Sequence, residues 1–398
     1  MQWRRVVLFF IALFALAYTL YAITRPLPDP TISANINFDG IKEKPLESKL
    51  LGFGWGAVGY IDPNNKQIVC RNIGNDPTAL SARPTASLAK MITSLVVLEK
   101  YPLKNNGPAI TMTPDDEARY WLTLNSGGSN VPVYSGQTLS QKQLIEGIML
   151  ASANNMADSL AIWAFGSLDN YRLAAQDWLK RHNLNSTSIG SDASGFNAST
   201  TSNAIDLCKI ALTMRLSPEL MKIIGQKEID YPIVGKLKNT NRLLGQNGVV
   251  GGKTGYTDEA GRGVAILSDI NINNENIAAA TVSLNNNSYS SAFDSSSQLI
   301  DKLKKDISVI NVKPGSTFGS IHSYWGKNSE LINNKGLKLV RFSDQPINVK
   351  TTKYLSSPES VGQNSLICEI NVNGNNFNLI NKNKIARPSW LWRLTNPI

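Results

Sequence analysis

Apolar residues follow three different rhythms along this chain, and each marks a different kind of element. Over residues 6–23 they run almost unbroken, with Tyr18, Thr19 and Tyr21 the polar exceptions, which reads as one apolar helix. Residues 54–61 and 67–72 read as two strands joined by the turn Asp62-Pro63-Asn64-Asn65, a hairpin. The rhythm then becomes helical, with Leu88, Met91, Ile92 and Leu95 at i, i+3, i+4 and i+7 on one buried face. Thr85 is the expected cap, placing Ser87 in the first turn and Lys90 one turn on, along the same side. Helical spacing returns over residues 139–164, broken around Ser152, and again over 171–181 and 203–214. Residues 249–255, 261–269 and 276–284 read as strands, and 291–305 as a closing helix. Strands at both ends with helices between them predict an α/β domain over residues 51–306. Beyond it, short β-type runs at 336–342, 347–351 and 366–372 predict a small β-rich C-terminal domain, residues 307–398. Its tail carries Trp390 and Trp392 and is expected to dock on its own domain.

The opening run bears on location. A membrane span needs roughly 17–25 apolar residues and a signal-peptide core about 7–15. Residues 1–24 therefore read as an uncleaved transmembrane anchor. Arg4 and Arg5 ahead of the run favour an inside N-terminus, leaving everything after Arg25 outside the membrane. Pro26, Pro28, Pro30 and Pro45 make residues 25–50 an expected extended linker. The formal charge of +10 is dispersed, with no long Lys/Arg run and no basic stretch interleaved with aromatics. No nucleic-acid partner is expected from such a pattern. Cys70, Cys208 and Cys368 are widely spaced and lack metal-ligand pairing; in an exported chain at least one thiol stays unpaired. Whether Cys70 meets Cys208 is left open by the sequence. His182 and His322 are the two histidines, in unrelated contexts, which argues against a Ser-His-Asp triad and a His-rich metal site.

Chemistry without histidine is offered by three short strings: Ser87-Leu88-Ala89-Lys90, Ser152-Ala153-Asn154 and Lys253-Thr254-Gly255. Alone, each has a plain structural reading: a helix start with a solvated lysine, a polar break between helices, a strand ending in a turn. In this order they form an acyl-transfer set. Ser87 is the candidate nucleophile and Lys90 its general base. For that, Lys90 must be neutral part of the time, through burial and a nearby cation, with Lys253 the candidate cation. Ser152 can relay a proton to the leaving amine, and Asn154 can bind a substrate peptide group. Lys253 and Thr254 can hold a carboxylate, and Gly255 lets backbone approach a ligand.

The flanks carry a family resemblance. Arg83-Pro84-Thr85-Ala86-Ser87-Leu88-Ala89-Lys90-Met91-Ile92-Thr93 resembles the active-serine segment of serine-type D-alanyl-D-alanine carboxypeptidases, the low-molecular-mass penicillin-binding proteins. The segments from Leu144 through Ser152 to Asn155 and from Gly252 through Lys253 to Gly261 resemble their second and third motifs. Asp192-Ala193-Ser194-Gly195-Phe196 is similar to a loop those enzymes carry between them. The resemblance implies a penicillin-recognising serine transferase fold, a five-stranded antiparallel sheet flanked by helices, with the site between the Lys253 strand and the Ser87 helix. It implies an oxyanion hole from the backbone N–H groups of Ser87 and Tyr256, a peptidoglycan stem peptide ending in D-Ala-D-Ala as substrate, covalent inhibition by β-lactams, and no cofactor or metal. Two departures are Ala153, where many relatives have glycine, and an anchor at the front rather than a C-terminal amphipathic one. A DD-endopeptidase shares these motifs. A β-lactamase deacylating through a glutamate between the second and third motifs fits less well, because residues 155–218 contain no Glu. A non-catalytic penicillin-binding sensor fits less well too, with about five residues ahead of the span.

Overall fold

The structure, a computed structural model, describes residues 2–33, 55–73, 80–354 and 361–396. Most of the expected linker, residues 34–50, and the start of the expected α/β domain, 51–54, lie outside the described residues. The chain divides into two compact units: Pro45–Ile307, and Met1–Lys44 with Ser308–Ile398.

The first unit is built on a five-stranded sheet in the order Val249–Thr257, Gly261–Ile272, Glu275–Asn286, Trp55–Ile61, Ile68–Asn72, every neighbour antiparallel. This is the five-stranded antiparallel sheet that the family resemblance implied. Alternation along its strands separates two faces. Ala57, Ala265, Leu267, Ala280 and Val282 point into the main core, shared with helices Ala89–Lys100, Gln141–Met149, Asn154–Phe165, Leu168–Arg181 and Ala204–Arg215. Helix Tyr289–Asp306 packs on the other face. Ala89–Lys100 is buried continuously from Ala89 to Val97, so it runs through the core and cannot shift without disturbing it.

Thr85 does not cap this helix. Its backbone is right-handed helical (φ −94°, ψ −14°), whereas a side-chain cap needs extended backbone. Its N–H is bound to Thr200 O, beside the short ladder of Arg83–Pro84 with Thr201–Ser202. Ser87 accordingly sits in a 3-10 turn, Ala86–Leu88, and the α-helix begins at Ala89.

The second unit has a six-stranded antiparallel sheet: Thr31–Ser33, Thr317–His322, Asn328–Ile332, Asn375–Asn381, Leu366–Val372, Val349–Tyr354. Phe318, Ile321, Leu331, Leu339, Ile370 and Leu379 form its core. Here the structure departs from the expected linker, because Thr31–Ser33 is an edge strand paired with residues 320–322. The unpaired edge of Thr317–His322 recruits it; alternation within three residues is too short a signal to read from sequence. Helix Gln2–Thr24 is apolar and almost wholly exposed, with mean hydropathy 2.5 over its best window. The tail helix Trp390–Thr395 meets its C-terminal end.

Candidate active site

The 3-10 turn and the first turn of the following helix bring the first string together. Lys90 Nζ lies 2.7 Å from Ser87 Oγ, 2.7 Å from Asn154 Oδ1 and 2.9 Å from the Ser194 carbonyl oxygen. In the ammonium form it donates to all three. Neutral, it keeps two hydrogens for Asn154 and Ser194 and turns a lone pair to the Ser87 hydroxyl, the geometry of a general base. Complete burial lowers its pKa from 10.5 to about 7, against the carboxylates of Asp192 and Asp158, which pull it upward. Of the two expected causes, burial is the one that depresses Lys90; the charge of Lys253 is not among them.

Lys253 is itself 1% exposed, and burial, then the positive charge of Lys90, holds its pKa well below the ordinary lysine value. Its Nζ donates to Ser152 Oγ at 2.9 Å and to its neighbour's carbonyl, Thr254 O, at 2.8 Å. The second string thus bridges the other two: Asn154 touches Lys90 and Ser152 touches Lys253. The string can reach both lysines because the chain breaks there between two helices, with Ser152 in the left-handed region (φ 62°). Asn154 N then bonds Ser129 O, fixing the start of the next helix. A second left-handed residue, Ala86 (φ 47°), immediately precedes Ser87. Non-glycine residues with positive φ cost energy and persist where the surroundings hold them.

What holds this turn is the loop at 192–196. Asp192 accepts from Ser194 N, Gly195 N and Asn197 N; Asp158 accepts from Ala193 N at 2.8 Å; Thr93 donates to Ala193 O at 2.6 Å. Gly195 (φ +70°) backs directly on the turn: a Cβ there would lie 2.1 Å from Ala86 O. The sheet edge approaches as closely from the other side, where a Cβ on Gly255 would lie 3.1 Å from both Ser87 N and Leu88 N. Thr254 Oγ1 is 2.7 Å from Thr240 Oγ1, and the exposed Tyr256 ring carries Arg262 at 4.2 Å.

A cleft of about 550 Å³ opens over these groups, lined by Ser87, Ser152, Asn154, Thr254, Gly255 and Tyr256. All eight residues singled out by sequence meet at one place, six on the cleft wall and the two lysines buried next to them. Sequence reasoning did not find Thr240, Tyr289 or the Ser126–Ser129 loop, which also line the cleft. They belong to segments remote in the chain and carry no motif. Asp158 was missed because its role depends on a contact with Ala193, thirty-five residues away.

Comparisons with known proteins bear on the same region. The sequence model of peptidase family S11, described as D-alanyl-D-alanine carboxypeptidase, matches residues 73–288. The D-alanyl-D-alanine carboxypeptidase DacA of Escherichia coli is 32% identical over 218 residues, 52% of this chain and 52% of that one. A D-alanyl-D-alanine endopeptidase of Haemophilus influenzae is 25% identical over 228 residues, 54% of this chain and 73% of the other. The match to the carboxypeptidase thus spans about half of that enzyme's length. Among solved structures, penicillin binding protein 5 from Haemophilus influenzae aligns with a TM-score of 0.60 at 19% identity, covering 83% of this chain and 96% of that one. PBP3 from Streptococcus pneumoniae aligns at 0.63 and 18%, covering 83% and 99%. At these identities the solved structures establish the fold, and the family match covers more than half the chain. The chain belongs to the D-alanyl-D-alanine carboxypeptidase family of serine peptidases.

Proposed function

We propose that this protein is a membrane-anchored serine D-alanyl-D-alanine carboxypeptidase that removes the terminal D-Ala from peptidoglycan stem peptides. The observation that carries the reading is the Lys90–Ser87 contact at 2.7 Å with Lys90 fully buried. Neutral Lys90 takes the Ser87 proton as Oγ attacks the penultimate carbonyl. The developing oxyanion is held by the N–H groups of Ser87 and Tyr256, each worth about 10²–10³ in rate. Ser152 passes a proton to the departing amine of D-Ala, and a water then frees Ser87 from the acyl-enzyme. Asn154 holds the substrate amide. Lys253 and Thr254 take the terminal carboxylate, whose charge draws Lys253 back to its ammonium form. A β-lactam enters by the same attack, but its leaving nitrogen stays tethered.

Endopeptidase activity is the second reading, supported by the Haemophilus influenzae relative of that name. The test is D-alanine release from a stem pentapeptide, alongside cleavage of a crosslinked dimer and labelling by fluorescent penicillin. Undiminished labelling of Ser87→Ala would sink the nucleophile assignment; dimer cleavage without D-alanine release would shift the assignment to endopeptidase.

Retention of residues 1–24 as an anchor, the reading that places residues 51–306 as an extracytoplasmic catalytic domain, is supported by how the two chain ends meet. Arg393 donates to Ile23 O and Arg25 O, Arg25 donates to Arg393 O, and Tyr18 donates to Leu394 O. The C-terminal carbonyls of each helix are thus met by side chains of the other, which satisfies groups a helix end leaves open. A retained Gln2–Thr24 helix keeps these contacts; cleavage within the apolar run removes some of them. Intact mass of the membrane-extracted protein decides: loss of about twenty N-terminal residues refutes the anchor.

A further inference from the structure

Cys70 and Cys208 have no part in the chemistry above, yet they lie side by side. Cys70 is on strand Ile68–Asn72, at the opposite edge of the five-stranded sheet from Lys253. Cys208 is in the middle of helix Ala204–Arg215, which packs on that sheet. Their sulfurs form no disulfide in the structure but lie 2.6 Å apart. Two thiols in mere contact rest much farther apart, while a disulfide needs about 2.05 Å, a small adjustment of two side chains.

An independent feature of the neighbouring strand points the same way. Gly59 is the register partner of Cys70, and a Cβ there would lie 2.5 Å from Cys70 Sγ and 2.7 Å from Cys208 Sγ. Any side chain at position 59 would occupy the space in which the sulfurs meet. A glycine in a strand interior weakens it and commonly marks such a close approach. Cys208 is fully buried and Cys70 only partly exposed, unlike the freely accessible thiols of redox sensors. Cys368 lies in the core of the other compact unit.

We propose that Cys70 and Cys208 form a structural disulfide that ties the outer edge of the sheet to the helix behind it. The two thiols give up two protons and two electrons as the S–S bond forms. The electrons go to a disulfide-bearing oxidant, which is reduced to its dithiol. The exchange begins as a mixed disulfide on Cys70, the more accessible sulfur, and Cys208 then displaces the oxidant. The bond closes the chain between residues 70 and 208, a long loop of the kind for which crosslinking restricts the unfolded state most. The proposal rests on the extracytoplasmic placement given under the proposed function, since such bonds persist in oxidising compartments.

The test uses the full chain, extracted from membranes in detergent without reductant and denatured in an alkylating reagent. The expected result is one alkylated cysteine, Cys368, and a non-reduced peptide joining the segments of Cys70 and Cys208, two hydrogens lighter than the sum of the free peptides. Cys368→Ala should then leave no free thiol, and reduction should lower the melting temperature by several degrees. Three alkylated cysteines, or a crosslink that involves Cys368, overturns the proposal. Penicillin labelling of the same sample is scored separately: an unlabelled protein containing the crosslink counts against the enzymatic reading and leaves the disulfide standing.

Discussion

On the proposed mechanism, acylation of Ser87 should rise with pH under acid conditions, by at most about tenfold per unit, and level off near pH 7, because Lys90 accepts the proton only when neutral. The size of the effect follows from its burial. At its ordinary pKa of 10.5 the lysine would be neutral in about one molecule in 3,000 at pH 7; with the pKa at about 7 it is neutral in about half, a gain on the order of 10³ in competent enzyme. Asp158→Asn perturbs this balance without touching substrate. Asp158 and Asp192 are the two anions that pull Lys90 upward, with Arg119 tempering Asp158. Removing one of them moves the midpoint to lower pH, while the asparagine oxygen can still accept from Ala193 N. Asp158 itself titrates at about 6, so in the native protein the limb should be shallower below pH 6, as the loss of its charge favours neutral Lys90. The variant should lose that curvature. The assay is the second-order rate of fluorescent-penicillin acylation from pH 5 to 9.5 by stopped flow. A native rate still climbing tenfold per unit at pH 9 would refute the depressed-lysine mechanism. An unmoved midpoint in the variant would show that the charge of Asp158 does not reach Lys90.

Other consequences can be checked on the same preparations. The folded-state pKa of Asp158 lies above its ordinary 3.8, so its stabilising contribution is present below pH 3.8 and lost as pH rises through about 6. Asp158→Asn should therefore raise the melting temperature at pH 7.5 and not at pH 3.5; equal shifts at both argue against a buried charge. Gly255→Val pushes the sheet edge off Ser87 N and Leu88 N and should slow acylation by about 10²–10³, the cost of one oxyanion donor, with a native-like circular dichroism spectrum. An unchanged rate would show that the close approach has no bearing on the oxyanion site. Gly195→Ala combines a positive φ with a collision at Ala86 O and should cost about 2–3 kcal/mol in denaturant unfolding; a loss below about 0.5 kcal/mol contradicts the packing described. Arg393→Ala should speed hydrogen exchange over residues 389–396 and leave membrane retention intact; unchanged exchange means the contacts between the chain ends hold nothing in place.

Legibility differed between the two compact units for physical reasons. In the α/β unit the strands and helices bury whole faces, so the period-2 and period-3.6 patterns are strong, and the predicted strands at 249–255, 261–269 and 276–284 fall within the observed ones. In the other unit, strands such as Thr317–His322 and Asn328–Ile332 are five or six residues long and rich in polar positions, and the sequence pattern marked neither. Thr31–Ser33 is held by its neighbour's open edge, which no local pattern records.

The same division runs through the site. Local chemistry carried the choice of Ser87, Lys90, Ser152, Asn154 and the Lys253–Tyr256 strand, because a nucleophile and its base one helical turn apart must be near neighbours in the chain. The order of the strings identified the family. Tertiary structure alone decided what those residues experience. The pKa of Lys90 is brought to about 7 by complete burial, the first of the two causes the sequence suggested and without the second, the Lys253 cation; the carboxylates opposing that shift come from two other segments. The strained turn at Ala86 stands because the 192–196 loop and the sheet edge close on it from two sides. Residue types and short spacings are properties of the chain; solvent exclusion and long-range contact exist only once it has folded.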